Sequence, residues 1–353
     1  MKLDQYTQTK FKAVRQYMRQ QKLDGILVTN NVDQLYLTGF FFYEGETIFL
    51  IHSKGVEAVT RSLYVEPFSK YAPYINTFGD DENREKAIIK CIKKLGLKRV
   101  GFDASKESYL SGSLFRKNGL LEIPSIISKL RETKNAQELK QMRASNRLAY
   151  MTYEYIKSRI KTGMTECEVA AEMERFMRVH GAKCVSFFTI VAFGENTANP
   201  HHETGNRKLK DNEAVLLDFG CVYHNYCSDM TRSWWHGNKE PAEYTKIWKI
   251  VDKARKTGIK AANIGVTGQE VDAAARGVIT KAGYGAYFTH RTGHGVGLDV
   301  HEEPCNDPTS THKLEEGNIT SVEPGIYLPG KFGVRLEDLI VATKTGAKII
   351  TKK

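Results

Sequence analysis

The sequence predicts an α+β protein of two domains, a smaller α/β domain over residues 1–128 and a larger α+β domain over residues 129–353. Its 353 residues are enough for two domains. Helix and strand signals alternate in the first third of the chain, as they do in α/β domains. In the rest of the sequence, strands and helices occur in separate runs, which is typical of the α+β class.

The first domain has clear helix and strand signals. One helix is predicted over residues 4–22. A second, DENREKAIIKCIKKLG (81–96), has an acidic first turn, a basic last turn and a closing Gly96, which are the signals of a capped helix. The strands are predicted over residues 24–29, 47–53, 98–104 and 120–128. This order indicates a mixed or parallel sheet.

The second domain is predicted to begin with a long amphipathic helical stretch over residues 129–163, so we place the domain boundary at its start. TECEVAAEMERFMRVHGA (165–182) predicts another helix, in which Thr165 caps the N-terminus and Glu168 completes a capping box. Strands rich in β-branched and aromatic residues follow, interrupted by helices at about 241–263 and 267–283.

The composition argues against several other classes of protein. The net charge of +11 invites a nucleic-acid hypothesis. However, the basic residues are spread along predicted helical faces such as IIKCIKKLGLKR (88–99), without an RNP-like, helix-turn-helix or zinc-finger pattern. We therefore expect no nucleic-acid partner. The six cysteines include no CxxC pair, which disfavours a zinc ribbon and a disulfide framework.

The sequence gives no sign of a membrane segment. No window approaches the roughly 18 consecutive apolar residues of a membrane helix, so we expect no contact with a membrane. The first residues, MKLDQYTQTKFKAVRQYM, lack the apolar region of a signal peptide. A cytoplasmic location is therefore expected.

A hairpin-like segment, AVLLDFGCVYHNYCSDMTRSW (214–234), carries two carboxylates. We place its turn at His224–Asn225, so that Gly220 faces Asp229 across the hairpin. Asp218 lies two residues before Gly220, and side chains alternate along a strand. Asp218 and Asp229 are therefore expected to share one face as diagonal neighbours.

A second hairpin-like segment, SVEPGIYLPGKFGVRLED (321–338), repeats this arrangement. A turn centred near Gly330 puts Glu323 opposite Glu337, again on one face. Unpaired like charges that face each other across strands are unfavourable. Two such pairs in one domain require a positive counter-charge, which divalent cations can supply.

The histidine-rich stretch THRTGHGVGLDVHEEP (289–304) supplies further candidates. Glycines on both sides of His294 allow close approach of the backbone, and its imidazole would add one ligand to the four carboxylates. His301 is expected near the same cleft, where it can donate a hydrogen bond to an oxyanion or a substrate carboxylate. His290 is expected to support the site from behind.

This set of side chains indicates the metal and the reaction. Four carboxylates neutralise two divalent ions, and oxygen-rich ligation favours manganese, with cobalt, iron or zinc as alternatives. A two-metal site of this kind indicates hydrolysis. GHGVG lacks the GxGxxG spacing, and neither HEEPC nor HHETG matches HExxH, so we discount a phosphate loop and a zincin.

Together these motifs resemble those of the pita-bread-fold metallopeptidases, in particular the branch of Xaa-Pro aminopeptidases and Xaa-Pro dipeptidases (prolidases). The resemblance covers nearly the whole chain and is strongest over residues 185–343. The motifs that carry it follow the family's order and are LLDFG, SDMTR, HRTGHGVGLDVHEEP, SVEPGIY and GVRLED. The resemblance implies a C-terminal pita-bread catalytic domain, preceded by a smaller creatinase/prolidase-like α/β domain.

The resemblance implies a metal site with five protein ligands. Asp218 would chelate one ion. Asp229 and Glu337 would bridge both ions. His294 and Glu323 would complete the site of the second ion. The implied cofactors are two divalent metal ions, with Mn²⁺ favoured and Co²⁺ or Zn²⁺ as alternatives.

The resemblance also implies catalytic roles. His201, in NPHHETG, and His301 would stabilise the developing oxyanion or orient the prolyl residue. A one-residue shift of the motif would exchange His201 with His202. Glu323 would relay the proton, since a carboxylate bound to metal can still act as a base. Arg335 resembles the arginine beside the last metal-binding glutamate, and a purely structural ion pair is the alternative for it.

The implied function is hydrolysis of the Xaa-Pro peptide bond by a metal-bridging hydroxide, at the N-terminus of peptides or in dipeptides. We therefore expect a metallo-exopeptidase, proline-containing substrates and a homodimer. Recognition of a dipeptide's carboxyl terminus would require a basic group near the S1′ side, which the sequence does not locate. One alternative is a methionine aminopeptidase, which shares the five ligands but usually lacks a domain such as residues 1–128. The other is a non-catalytic pita-bread binding protein, which typically lacks some of the ligands.

Overall fold

The structure, a computed structural model, describes residues 5–351. The chain divides into two compact units, Met1–Arg131 and Glu132–Lys353. The first residue of the helix predicted over residues 4–22 lies outside the described residues. None of the helices in the described part is long and apolar enough to span a membrane.

The first unit is built on one six-stranded sheet with the order β4-β3-β2-β1-β5-β6. The pairs β1–β2 and β2–β3 are antiparallel, and the other pairs are parallel. The sheet is therefore mixed, one of the two arrangements predicted from the sequence. Its strands are β1 (Gly25–Val28), β2 (Thr47–His52), β3 (Val56–Thr60), β4 (Asn76–Gly79), β5 (Val100–Asp103) and β6 (Leu121–Ile123).

The helices of this part of the chain pack apolar faces on the sheet. Ile88, Ile89 and Ile92 recur at helical spacing in α4 and are buried in one cluster with residues of the strands. The strand predicted over residues 120–128 is wrong beyond Ile123, because Pro124 has no backbone N–H to continue the ladder. The helices are α1 (Gln5–Gln20), α2 (Asn31–Thr38), α3 (Ser62–Tyr71), α4 (Arg84–Lys94), α5 (Tyr109–Lys117) and α6 (Ile126–Glu132).

The helices of the second unit are α7 (Ala136–Lys157), α8 (Glu166–Val179), α9 (Ala242–Ala261) and α10 (Gly268–Lys281). The capping box predicted for α8 is present, with Thr165 and Glu168 each bonding the other's backbone. The continuous helix predicted over residues 129–163 is wrong. The chain breaks between α6 and α7, where Asn135 and Glu138 form a second capping box that starts α7.

The strands of the second unit form several small antiparallel sheets. The sheets that carry the candidate site have the orders β12-β9-β8, β14-β13-β15-β18-β19 and β16-β17. Buried residues of α7 and α8 share one core cluster with β8 and β9. The strands are β7 (Cys184–Val185), β8 (Ile190–Phe193), β9 (Glu213–Phe219), β10 (Cys221–Tyr223), β11 (Tyr226–Cys227), β12 (Met230–His236), β13 (Gly293–Gly295), β14 (Glu302–Asn306), β15 (Ile319–Val322), β16 (Gly325–Leu328), β17 (Phe332–Arg335), β18 (Asp338–Val341) and β19 (Lys348–Ile349). This mixture of helices and sheets confirms the predicted α+β class.

Candidate active site

The first pair of candidate ligands comes from the hairpin that contains β9 and β12. Its turn lies at His224–Asn225, where both residues have positive φ angles. The ladder pairs Phe219 with Met230, so the next pair in the same register is Gly220 with Asp229. A Cβ on Gly220 would collide with the backbone of the facing strand. The hairpin therefore has the register predicted from its sequence, and Gly220 permits the close approach of the two strands.

The second pair comes from the hairpin that runs from β15 to β18. Gly325 pairs with Arg335 in β16 and β17, and β15 pairs with β18 in the same register. In this register Glu323 and Glu337 lie opposite each other, in the gap between the two ladders. Gly330 occupies the turn with a φ of 72°, which glycine adopts without strain. The predicted facing of the two glutamates is therefore correct.

His294 reaches the carboxylates from β13. Its Nδ1 lies 3.1 Å from the carbonyl oxygen of Gly295, so the Nδ1–H can donate there and leave Nε2 as the free acceptor. Nε2 lies 3.3 Å from Oε1 of Glu323 and 3.6 Å from Oδ2 of Asp229. A Cβ on Gly293 would collide with the carbonyl oxygen of Ser321. Glycine beside His294 is thus required for the close packing of β13 against β15.

Three of the carboxylates form a tight cluster. One oxygen from each of Asp218, Asp229 and Glu337 lies within 4.8 Å of the other two. Among the described residues, Oδ1 of Asp218 and Oε1 of Glu337 are buried without a hydrogen-bond partner. Their other oxygens are bound, since Arg335 donates to Oδ2 of Asp218 at 2.6 Å and Thr231 donates to Oε2 of Glu337 at 2.9 Å. Each of these two side chains therefore has one oxygen that is available to bind a cation.

The electrostatics of this cluster are unfavourable without a cation. Burial raises the pKa of Asp218, and burial together with neighbouring carboxylates raises the pKa of Asp229 and of Glu337 well above the usual range. Burial also acts to raise the pKa of Glu323, but when His294 is protonated, the hydrogen bond from its Nε2–H and its charge outweigh burial and lower that pKa to about 2. Three buried acids that resist ionisation side by side are a natural binding place for divalent cations.

The residues fit the two metal ions that the resemblance implies. The donor set is rich in carboxylate oxygen and has one imidazole, the combination that suits manganese and neighbouring divalent metals. The two buried oxygens without partners would gain a ligand from a bound cation. Asp218, Asp229, His294, Glu323 and Glu337 all come together here, four of them at the wall of one cavity.

Arg335 lies at the centre of a buried network behind this cluster. Only 3% of its surface is exposed. Besides its ion pair with Asp218, it donates to the hydroxyl of Tyr327 at 2.8 Å and to Oγ1 of Thr231 at 3.1 Å. The Tyr327 hydroxyl in turn lies 2.8 Å from Nε2 of His290. Arg335 thus holds Asp218, a candidate metal ligand, in place. This contact is the structural ion pair that the sequence left as the alternative role for Arg335.

His301 stands beside His294 on the cavity side. The two rings are 4.4 Å apart between centroids and nearly perpendicular. Burial, together with the nearby His294, lowers the pKa of His301 to about 4. The imidazole is therefore neutral near pH 7 and carries one N–H and one acceptor nitrogen. It lines the cavity together with His290 and His201.

The two histidines of NPHHETG have different surroundings. Nε2 of His202 lies 2.8 Å from Oε2 of Glu166, a fully buried carboxylate. Glu166 also accepts hydrogen bonds from the backbone of Phe193 and Gly205 and from the side chain of Asn196. His202 is therefore part of a network that fixes this loop. His201 is exposed and lines the cavity, which supports the choice of His201 as the residue on the substrate side.

The cavity beside the cluster has a volume of about 910 Å³, which is in the range of small-ligand sites. Three residues in or behind the site received no role from the sequence: Arg291, which lines the cavity, and Tyr327 and Glu166, which do not. Tyr327 was quoted in SVEPGIY and Arg291 in HRTGHGVG, but neither motif indicates a partner for them. Glu166 lies in the first turn of α8, where acidic residues are common, so its position in the sequence does not indicate its buried partners.

The fold and the site define a metallopeptidase, and the comparisons with known proteins agree. The model of metallopeptidase family M24 matches residues 140–344. The model of the creatinase/prolidase N-terminal domain matches residues 10–133. The chain belongs to family M24. It is an enzyme, a metallo-exopeptidase with the pita-bread fold, as the sequence predicts.

Individual relatives are similar over nearly their full length. An uncharacterised peptidase of Staphylococcus aureus strain USA300 is 34% identical over 97% of this chain and 99% of its own. The Xaa-Pro dipeptidase from Bacillus anthracis has a TM-score of 0.92 and 36% identity, with 98% of each chain covered. The prolidase from Pyrococcus horikoshii OT3 has a TM-score of 0.88 and 30% identity, with 98% of each covered. The X-Pro aminopeptidase from Thermotoga maritima MSB8 has a TM-score of 0.86 and 30% identity, covering 96% of this chain and 98% of its own.

Proposed function

We propose that this enzyme hydrolyses the peptide bond between an N-terminal residue and proline, using two divalent metal ions. The observation that carries the proposal is the cluster of Asp218, Asp229 and Glu337, with two buried oxygens that have no hydrogen-bond partner in the described part of the chain. Family membership and the similarity to an Xaa-Pro dipeptidase and to prolidases support the same substrate class.

In this proposal Asp218, Asp229, His294, Glu323 and Glu337 would hold the two ions, and the resemblance implies that Asp229 and Glu337 would be shared between them. The bound ions would polarise the scissile carbonyl and lower the pKa of a water molecule. Manganese is the metal that we propose, because four of the five ligands are carboxylates. Cobalt and zinc are the alternatives.

The side chains of the protein would position the substrate and move its protons. Glu323, a carboxylate at the cavity wall, would accept the proton of the attacking water and pass it to the prolyl nitrogen. His301, neutral near pH 7, would donate its N–H to the oxyanion. His201 would orient the prolyl ring from the cavity rim. Arg335 would keep Asp218 oriented through their 2.6 Å hydrogen bond.

A peptide panel tests this function. The protein would be stripped of metal, reloaded singly with Mn²⁺, Co²⁺ or Zn²⁺, and assayed with Ala-Pro, Ala-Pro-Ala and Met-Ala-Ala. Cleavage restricted to the prolyl peptides is expected. Preference for Met-Ala-Ala would favour a methionine aminopeptidase. Absence of cleavage with every metal would favour a non-catalytic binding protein.

Other parts of the interpretation stay predictions. We propose that residues 129–353 form the catalytic domain and residues 1–128 the N-terminal domain. We also propose a homodimer, which analytical ultracentrifugation tests, and a cytoplasmic location, which fractionation of cells tests. Mobility-shift measurements at moderate salt test the expected lack of nucleic-acid binding.

A further inference from the structure

A buried ion pair lies next to His301 in the second unit. Nζ of Lys134 donates to Oε1 of Glu302 at 2.5 Å, and the two side chains are only 2% and 9% exposed. Lys134 belongs to the short segment between α6 and α7. Glu302 is the first residue of β14 and directly follows His301 in the chain. The pair therefore joins the start of the second unit to the neighbour of a candidate catalytic residue.

Stability alone does not account for an ion pair at this depth. Both charges lose their hydration when they are buried, and an apolar pair of similar volume is often equally stable or more stable. What a buried ion pair adds is a defined geometry, because each charge is tolerated only where it meets the other. The question is then what this pair holds in place.

The lysine extends from a fixed part of the backbone. The N–H of Lys134 donates to the carbonyl oxygen of Gly317 at 3.0 Å. Thr133 forms a β-bridge with Asn318. Nδ2 of Asn318 donates to the carbonyl oxygen of Glu132 at 3.1 Å. Three consecutive residues are thus attached to one loop, so the ammonium group has a firm base.

The glutamate lies at the end of the loop that carries His301. This loop, residues 296–301, connects β13 to β14. Glu302 pairs with Gly295 where the two strands meet. A Cβ on Gly297 would collide with the carboxylate of Glu302, so glycine at this position makes room for the carboxylate against the loop. The ion pair therefore fastens the loop at its last residue.

His301 stands where a shift of Glu302 would move it. Successive Cα atoms are about 3.8 Å apart and are joined by a planar peptide, so a displacement of one residue is passed to the next. The ring of His301 packs against that of His294, with 4.4 Å between centroids, and lines the cavity. The placement of this imidazole thus depends on the anchor beside it.

We propose that Lys134 is a positioning residue for His301, and that it acts through its ion pair with Glu302. This inference rests on the proposed function, in which His301 donates its N–H to the oxyanion. Such a donor is effective only at hydrogen-bond distance from the developing charge. A misplacement of about 1 Å can lower a rate about 100-fold. Lys134 contacts neither the substrate nor the metal site and acts on turnover from a distance.

The principal variant is Lys134→Met combined with Glu302→Gln. Lys134→Met alone would leave a buried carboxylate without its cation, whereas the combined change leaves no unpaired charge. In the metal-loaded protein, kcat for Ala-Pro should fall about 10- to 100-fold. KM and metal content should stay at the parent values, because the lost interaction is made only in the transition state. Lys140→Met, at an exposed lysine of α7, is the matched control and should behave as the parent does.

The same combined change in a His301→Ala background tests whether the effect passes through His301. There it should lower kcat by less than about twofold, since the group that it positions is already absent. An equal loss of kcat with and without His301 would show a general structural effect and overturn the inference. Parent-like kcat in the combined variant would also overturn it.

Crystal structures of the parent and the combined variant give a readout that does not depend on turnover. The ring of His301 should move by about 1 Å or more from its place beside His294. An unmoved ring would overturn the inference even if activity falls. If the parent cleaves no prolyl peptide with any metal, the proposed function fails, and the position of the ring alone then decides whether Lys134 holds this loop.

Discussion

Removal of the Tyr327 hydroxyl would break the buried network behind the metal cluster. This oxygen lies 2.8 Å from both Nε2 of His290 and a terminal nitrogen of Arg335. Nδ1 of His290 lies 2.8 Å from the carbonyl oxygen of Arg291 and donates its hydrogen there. Nε2 is then an acceptor, so the tyrosine O–H donates to it while accepting from Arg335. Tyr327→Phe removes both bonds.

The cost of this change can be worked from the partners. Tyr327 is 4% exposed, so water cannot replace the hydroxyl freely. One buried imidazole nitrogen and one guanidinium N–H lose their partner, at about 1–3 kcal/mol for each unsatisfied group. The same Arg335 nitrogen keeps a longer bond of 3.3 Å to Pro200, which reduces its share. We expect a loss of about 2–4 kcal/mol, or roughly 4–16 °C in Tm for a unit of this size.

Differential scanning calorimetry of the metal-loaded proteins measures this loss. The matched control is Tyr287→Phe, at a residue that is 39% exposed in the same unit, and its Tm should match that of the parent. Metal content is determined in parallel, and the metal-free forms are scanned as well. A Tm of Tyr327→Phe within about 1 °C of the parent in both forms would refute the reasoning about the buried hydroxyl.

Three further predictions concern the metal site. Asp229→Asn or Glu337→Gln should lower metal occupancy and nearly abolish hydrolysis; full activity in either variant, with metal measured by plasma mass spectrometry, would contradict the bridging roles. His301→Ala should keep its metal and lose about 100-fold or more in kcat; turnover equal to that of the parent would remove His301 from the mechanism. Metal removal should make stability depend more strongly on pH. Burial and neighbouring charges raise the pKa of Asp229 and Glu337 in the folded, metal-free protein. The protonated side chains therefore contribute their full stabilisation at pH values below the ordinary carboxyl pKa. This stabilisation is lost as pH rises through the raised pKa values of the folded state. The Tm of the chelated protein should therefore fall from mildly acidic to alkaline pH more than that of the metal-loaded protein. Parallel pH profiles would contradict this.

The hairpins that carry the carboxylates could be predicted because their registers are set locally. His224–Asn225 tolerates the left-handed backbone of a two-residue turn, and that turn fixes which residues face each other. Gly330 does the same for Glu323 and Glu337. The capping box at Thr165 could also be predicted from the sequence, because Thr165 and Glu168 lie within one turn of helix.

Features that depend on distant partners could not be predicted. His202 is distinguished from His201 by a bond to Glu166, which is 36 residues away in sequence. The network of Arg335 with Asp218 likewise joins residues that are 117 positions apart. The break before α7 was missed because the amphipathic pattern continues across it, although Asn135 and Glu138 form a capping box there.

The most direct test of the account is an anomalous diffraction map of crystals soaked with Mn²⁺. We expect two peaks, each bound by carboxylates of the cluster, with the unpaired oxygens of Asp218 and Glu337 both among the ligands and His294 on one ion. Manganese peaks elsewhere, or an active enzyme with no peak among these five side chains, would contradict it.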